Sequence, residues 1–295
     1  MQLNQQIWVR IEEAWTALSE RFEPLIETRC AQAGIESRMF RLMLAVYTFE
    51  PEETTPAHLL VRGPYTAVDT YLLGLRHAEK HGLLVESSPG RFQITEHGRT
   101  LTFEIVDAAR QVMAESDPLL PADSGRLAIL MDRLVNTCLN TPPPPNTWSI
   151  NLSMKLMPRL NPPMPFIEQA FTCLAAYRDD AHLAVWRRSG LSATALETLT
   201  LFWRGDATSL EELCKKLERR GHPCEVYITV LAELRERGLI TGPEQAPWVT
   251  GTGRVFRNEI EHDTDRLFFA PWTCLSQSES TELYDLVSRM RDGLK

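Results

Sequence analysis

The 295-residue chain lacks the long apolar runs and paired cysteines that mark several classes of protein. No uninterrupted apolar stretch reaches the roughly 18 residues of a membrane-spanning helix, so we expect no contact with a membrane. Residues 1–10 contain no apolar signal core, which predicts a cytoplasmic protein. None of the six cysteines forms a C-x-x-C pair, so we expect reduced thiols and no structural zinc site.

Catalytic motifs are also scarce. We find no phosphate-binding glycine loop, no G-x-S-x-G elbow and no carboxylate pair, and we therefore expect neither enzymatic activity nor a cofactor. His77 and His81 share one helical face but lack the H-E-x-x-H order, so we expect no metal there. Cys224 is expected to be an inert thiol although His222 is close to it in sequence.

Basic residues are outnumbered by acidic ones, 31 against 39, which gives a net charge of −8. Residues 1–140 carry a net charge of −6 and residues 166–295 one of −4, whereas residues 141–165 carry +2. This balance weakens non-specific attraction to DNA, but specific binding depends on the charge of the local face.

The strongest positive feature is an internal repeat. Gly82 and Gly238 lie 156 residues apart, and each is followed by two aliphatic residues. The phrase TEHGR at 95–99 returns as TGTGR at 250–254, at an offset of 155. A period of this length predicts a duplicated domain rather than a short solenoid unit.

Proline-rich sequence separates the two copies. Four consecutive prolines at 142–145 and three more within 161–165 favour extended backbone and stop helices. We therefore predict copy one at residues 1–140, a linker at 141–165 and copy two at 166–295.

Both copies have the same predicted order of helix, helix, tight turn, helix, β-hairpin and helix. In copy one, apolar residues from Ile7 to Leu25 recur every three or four positions, which predicts one long helix. A second helix is expected at 38–49. Thr55 and Pro56 indicate the start of a short helix, and a further helix is expected from Tyr65 to the residue before Gly82.

This order is that of a winged helix-turn-helix, and both copies resemble MarR-type transcription regulators. Copy one contributes GLL at 82–84 and ITEHGR at 94–99; copy two contributes GLI at 238–240 and VTGTGR at 249–254. The resemblance implies a mainly α fold with small β-wings and two winged helix-turn-helix domains. MarR-type proteins are usually homodimers joined by their first and last helices, so the tandem chain is expected to be a monomeric, intramolecular pseudo-dimer.

The resemblance also implies double-stranded DNA as the partner. In a helix-turn-helix, the first residues of the second helix reach base edges in the major groove. Val68 is expected to face the core. The candidate DNA-binding residues of copy one are therefore Arg62, Tyr65, Thr66, Asp69, Thr70 and, on the wing, Arg91.

Copy two differs because it holds the densest basic patch of the chain just before its second helix. Such a patch fits a helix that crosses the phosphate backbone, although a solvated face partnered by nearby glutamates is an equal alternative. Its wing, residues 242–247, contains no arginine. The candidate DNA-binding residues of copy two are Lys215, Lys216, Arg219, Arg220 and His222.

Aromatic residues provide a candidate effector site. MarR-type proteins bind small effectors, often aromatic acids, where the long helices meet the winged domain. The corresponding candidates here are Trp15, Tyr47, Trp186 and Trp203, with ordinary core packing as the alternative. Our first hypothesis is a DNA-binding transcription regulator that responds to a small aromatic effector. The alternative is a small-molecule-sensing or protein-interaction module that does not bind DNA.

Overall fold

The computed structural model describes residues 3–141, 144, 148–243 and 245–295. The described chain is mainly helical and contains two small antiparallel hairpins, as the sequence predicts. No helix within these residues has both the length and the apolar character needed to cross a membrane. The helices of the first half are α1 (Leu3–Gln32), α2 (Ser37–Phe49), α3 (Pro56–Arg62), α4 (Val68–Lys80), α5 (Glu96–Glu115) and α6 (Pro121–Asn140).

The second half follows a short connecting helix, α7 (Trp148–Met154). Its helices are α8 (Pro163–Trp186), α9 (Ala193–Arg204), α10 (Leu210–Leu217), α11 (Cys224–Glu236), α12 (Gly251–Phe269) and α13 (Gln277–Leu294). The first residues of α2 and α9, of α4 and α11, and of α6 and α13 are each 156 residues apart. The same order of elements therefore occurs twice in the described chain.

The hairpins also correspond. Strand β1 (Leu84–Ser88) pairs with β2 (Arg91–Ile94), and β3 (Ile240–Thr241) pairs with β4 (Trp248–Val249). The threonine that follows each hairpin caps the next helix by accepting a hydrogen bond from the glycine three residues later, at 2.9 Å in both halves. These caps explain why the T-x-x-G phrase occurs in both copies.

The first and last helices pack against each other along their apolar faces. Ile7, Ile11 and Leu18 of α1 are buried, as is the predicted apolar stripe of α13. Polar contacts border this interface: Arg291 pairs with Glu13 at 2.6 Å. The sequence prediction of one long amphipathic first helix is confirmed.

Two hydrophobic clusters form the core, and α8 contributes to both. The larger cluster combines residues of α1–α7 with most of α8, the end of α12 and α13. The smaller cluster begins at Leu183, near the end of α8, and continues through the second helix-turn-helix to Ile260. The predicted boundaries at 140 and 166 therefore do not coincide with the division between the clusters, and they stay a prediction.

Part of the segment predicted as a linker is helical. Helix α7 begins at Trp148, and the N–H groups of Ser149 and Ile150 donate to the Asp180 carboxylate at 2.8 and 3.0 Å. A carboxylate at this position satisfies N–H groups that have no partner within the helix. Of the four-proline run, only Pro144 lies among the described residues.

The predicted start of α4 is wrong by three residues. The helix begins at Val68 rather than Tyr65, because Ala67 is extended and donates its N–H to the carbonyl of Arg220. Val68 was expected to face the core, but it is 48% exposed. Helix α11 begins at the equivalent residue, Cys224, after an extended Pro223, so both helices start at the same position of the repeat.

The expectation that all cysteines are reduced is also wrong. Cys214 in α10 and Cys224 in α11 form a disulfide, with their Cα atoms 5.6 Å apart. The nine intervening residues turn the two helices towards each other, which brings the cysteines within the usual range for such a bond. Cys224 is therefore not the free thiol that the sequence suggested.

The repeated glycines predict a stability effect. A Cβ on Gly253 would lie 2.0 Å from the carbonyl oxygen of Leu239, whereas a Cβ on Gly251, in the same helical turn, would meet no atom within 4 Å. Gly253→Ala should therefore lower the free energy of unfolding by roughly 1–3 kcal/mol. The control Gly251→Ala should change it by less than about 1 kcal/mol. Urea unfolding followed by circular dichroism provides the comparison, and equal effects would contradict the close approach.

Candidate functional site: a turn contact and an adjoining cavity

The segment at the start of α4 and the segment before α11 touch each other, and we call the helix pairs to which they belong the first and second motif. Residues 65–70, at the start of α4, meet residues 220–222, which precede α11; we call this the turn contact. Ala67 donates its N–H to the carbonyl of Arg220 at 2.8 Å. Nε2 of His222 donates to the carbonyl of Tyr65 at 3.1 Å. The guanidinium of Arg220 also lies 3.5 Å from Oγ1 of Thr66. The two segments are therefore joined by both backbone and side-chain bonds.

Tyr65 occupies a half-buried position within the turn contact. Its hydroxyl lies 3.1 Å from Nε2 of His182 on α8, and its ring stands 5.5 Å below the guanidinium of Arg220. Burial raises the pKa of Tyr65 to about 12 and lowers the pKa of His182 to about 4. Both groups are therefore neutral at pH 7, which suits a site with little access to water.

An ion pair holds the second segment in place. Nε of Arg220 donates to Oε1 of Glu197 at 2.9 Å. Burial raises the pKa of Glu197, and the neighbouring guanidinium opposes that shift. Because Arg220 is engaged with a carboxylate and with the first motif, its charge is not free for a phosphate.

The predicted DNA-binding residues of copy one are only partly available. Tyr65 and Thr66 were expected to face solvent, but Tyr65 is half-buried and Thr66 is only 9% exposed, because the second motif covers them. Thr70 is half-buried against Gly221, while Asp69 is exposed. The remaining two candidates lie elsewhere: Arg62 faces a cavity, and Arg91 is exposed on the hairpin and paired with Glu53.

The basic candidates of copy two divide into two groups. Lys215, Lys216 and Arg219 are exposed on α10 and the turn after it. Arg220 and His222 are half-buried in the turn contact instead. Three of the five predicted basic residues therefore form an accessible positive surface.

A cavity of about 820 Å³ adjoins the turn contact. It lies between α1, α2, α4, α5 and α8, and apolar side chains such as Phe22, Met39 and Phe49 make up much of its lining. One part of its wall consists of Arg62, Thr66, Thr70 and Arg219, and the two threonines belong to the turn contact. The cavity and the contact between the two motifs thus share residues.

Two carboxyl groups of α8 face this cavity. Oε1 of Glu168 accepts hydrogen bonds from Nε1 of Trp15 at 3.1 Å and from Oγ1 of Thr172 at 3.2 Å. Burial raises the pKa of Glu168. The side chain of Asp179 has accessible surface, and this surface faces the cavity. Burial raises the pKa of Asp179 to about 6, and the charge of Arg62 opposes this shift.

The four aromatic residues predicted as an effector site do not come together. Trp15 lines the cavity, whereas Tyr47, Trp186 and Trp203 are not part of its lining. Trp186 donates its indole N–H to the carbonyl of Leu191, and the guanidinium of Arg257 stands 4.9 Å from the ring of Trp203. These three aromatic side chains therefore lie outside this cavity, and an effector site formed by the four residues stays a prediction.

The histidine pair of α4 has no further ligand nearby. The Nε2 atoms of His77 and His81 are 3.2 Å apart on an exposed face. Among the described residues, no group of three or more His, Cys, Asp or Glu side chains is placed to hold a metal ion.

Comparison with known proteins identifies a helix-turn-helix family at residues 154–294. This segment runs from the last residue of α7 to the last residue of α13 and so contains the complete second half. Helix-turn-helix domains characteristically bind DNA. No curated protein and no solved structure matches the chain.

The turn contact predicts a coupling between Gly221 and Thr70. Gly221 and Gly205 both have positive φ, 74° and 78°, so alanine at either position should cost roughly 1–2 kcal/mol of stability. A Cβ on Gly221 would also lie 1.9 Å from Oγ1 of Thr70, whereas one on Gly205 would meet no atom within 4 Å. In chemical unfolding, Gly221→Ala should therefore cost more than Gly205→Ala.

The additional loss of stability caused by Gly221→Ala should disappear when Thr70 is replaced by alanine. In the Thr70→Ala background, Gly221→Ala should cost about the same as Gly205→Ala, because the clashing oxygen is gone. If the two glycine substitutions cost the same while Thr70 is intact, the two motifs are not in contact.

Proposed function

We propose that the protein is an effector-responsive, DNA-binding transcription regulator. In this proposal, two winged helix-turn-helix units of one chain form an intramolecular pseudo-dimer. The observation that carries the proposal is the shared wall: Thr66 and Thr70 line the cavity and also belong to the turn contact. A molecule in the cavity would therefore touch the segments that hold the two DNA-binding motifs together.

The repeated order of elements supports a duplicated winged helix. Both halves share the helix spacing of 156 residues, the hairpin and the threonine cap after it. The pairing of α1 with α13 supports the pseudo-dimer, since the interface that would join two subunits is satisfied within one chain. We accordingly propose a monomer that acts in the cytoplasm, without catalytic activity and without a cofactor.

The basic surface of Lys215, Lys216 and Arg219 supports DNA as the partner. These side chains are exposed and lie beside the second motif, where a helix-turn-helix approaches the phosphate backbone. With a net charge of −8, the chain depends on such a local surface for attraction to DNA. Copy one would read bases with Tyr65 and Thr66 only after the turn contact opens.

One observation favours a second candidate function. The turn contact covers Tyr65 and Thr66, which a reading helix would need at its surface. A small-molecule-sensing or protein-interaction module that has this fold but does not bind DNA does not need these two side chains at its surface. DNA binding by the basic surface separates this candidate from the first.

The DNA-binding proposal predicts a specific effect of the basic surface. Lys215→Ala combined with Arg219→Ala should weaken binding to duplexes of unrelated sequence to a similar extent, because phosphate contacts carry no sequence information. If both residues contact phosphates, the slope of log affinity against log salt should fall in magnitude by about 2. Fluorescence anisotropy between 50 and 200 mM salt measures both quantities.

Lys295→Ala provides the control, since it removes an exposed lysine at the end of the chain, away from the motifs. The control should bind DNA like the unmodified protein. If the unmodified protein binds no duplex even at low salt, the regulator proposal fails and the sensing module takes its place.

A further inference from the structure

Some charged side chains around the cavity are paired with other groups of the protein, and one is not. Arg41 pairs with Glu23 at 2.9 Å. Arg110 donates to the carbonyl of Leu156 at 2.7 Å and lies 3.4 Å from Asp107. These two guanidinium groups are therefore already engaged with oxygen atoms of the protein.

The other end of the cavity also contains opposite charges. Arg62 and Asp179 both line this end, and the positive charge of Arg62 favours the ionised form of Asp179, although burial raises the pKa of that carboxyl group. Arg38 and Arg219 are exposed at the edges of the cavity, where water solvates them. Each arginine of the lining is therefore exposed, engaged with oxygen atoms of the protein, or accompanied by an acidic side chain at the same end of the cavity.

Glu168 is different. Its contacts in the described structure are the neutral donors of Trp15 and Thr172, both on Oε1. Within the described residues, no basic side chain pairs with it, although Arg110 favours its charged form from a distance. A carboxylate in such surroundings lacks the counter-charge that usually accompanies a buried acid.

We propose that the cavity binds an apolar ligand that carries a protonated amine, with the carboxyl group of Glu168, ionised in the complex, as its anchor. This inference rests on the proposed effector site and names the chemical class of its ligand. Oε1 is held by Trp15 and Thr172, so the carboxyl group has a fixed orientation, and its second oxygen remains for the ammonium. An ammonium group donates up to three hydrogen bonds and supplies the missing positive charge.

The remainder of the cavity suits the apolar body of such a ligand. Phe22, Ile26 and Phe40 line it together with other aliphatic and aromatic side chains. The volume of about 820 Å³ lies in the usual range for sites that enclose a ligand of drug-like size. The ligand would therefore be held by apolar contact over most of its surface and selected by its charge at Glu168.

Three naphthalene compounds of similar size test the proposal: 1-naphthylmethylamine, 1-naphthalenemethanol and 1-naphthaleneacetate. Isothermal titration of the full chain at pH 7.5 should rank the amine above the alcohol and the alcohol above the acid. Glu168→Gln keeps the size and the acceptor for Trp15, but removes the charge. This substitution should lower the affinity for the amine by about tenfold or more, since a hydrogen bond to a charged group contributes about 1.5–3 kcal/mol.

Glu23→Gln is the matched control, because Glu23 also lines the cavity but is neutralised by Arg41. It should change the affinity for the amine by less than about threefold, a fraction of the 1.4 kcal/mol that a tenfold change represents. The affinity for the alcohol should be the same in the unmodified protein and in the two variants.

Several results would overturn the proposal. The first is tighter binding of the acid than of the amine. The second is an equal loss of affinity for the amine in both variants, and the third is no binding of any of the three compounds. The DNA-binding assay is independent of these titrations. A protein that binds the amine through Glu168 but binds no DNA would retain this ligand class and lose the regulator function.

Discussion

Helix α8 is the constraint on which both halves of the protein depend. It is buried on most of its surface, and its side chains enter both hydrophobic clusters. Because a helix in this position has little contact with solvent, each of its polar groups needs a partner or a cavity. Asp180 caps α7, His182 contacts Tyr65, and Glu168 and Asp179 face the cavity. The polar residues of this one helix therefore determine where the candidate site lies.

The same helix connects the cavity with the contact between the motifs. Glu168 and His182 are 14 residues apart, which corresponds to about 21 Å along a helix. At one end, Glu168 and Trp15 form the polar part of the cavity, and at the other, His182 holds the hydroxyl of Tyr65. In the proposed response to an effector, a change in either place would pass along this helix and the groups packed against it.

Local sequence predicted the features that depend on neighbouring residues. The spacing of apolar residues in α1 and the cap formed by Thr55 act within one or two turns, and the structure contains both. The cavity was not predictable beyond Trp15, because its lining comes from helices far apart in the chain. Glu168 carries no motif; only its place on a largely apolar helix distinguishes it.

The errors share one cause, which is contact between distant segments. The first turn of α4 was expected to present Tyr65 and Thr66 to DNA, but the segment around Arg220 covers them. The disulfide of Cys214 requires two helices to fold towards each other, and no spacing rule for paired cysteines indicates it. Each feature depends on tertiary packing, which periodicity and capping patterns do not report.

Hydrogen exchange at the amide of Ala67 tests the central claim, that the two motifs hold each other, most directly. Its N–H donates to the carbonyl of Arg220, whereas the first N–H groups of a helix normally have no partner within that helix. The account predicts strong protection of this amide in the full chain, close to that of the core amides of α4. Exchange of Ala67 at the rate of an unprotected peptide, with α4 itself protected, would contradict it.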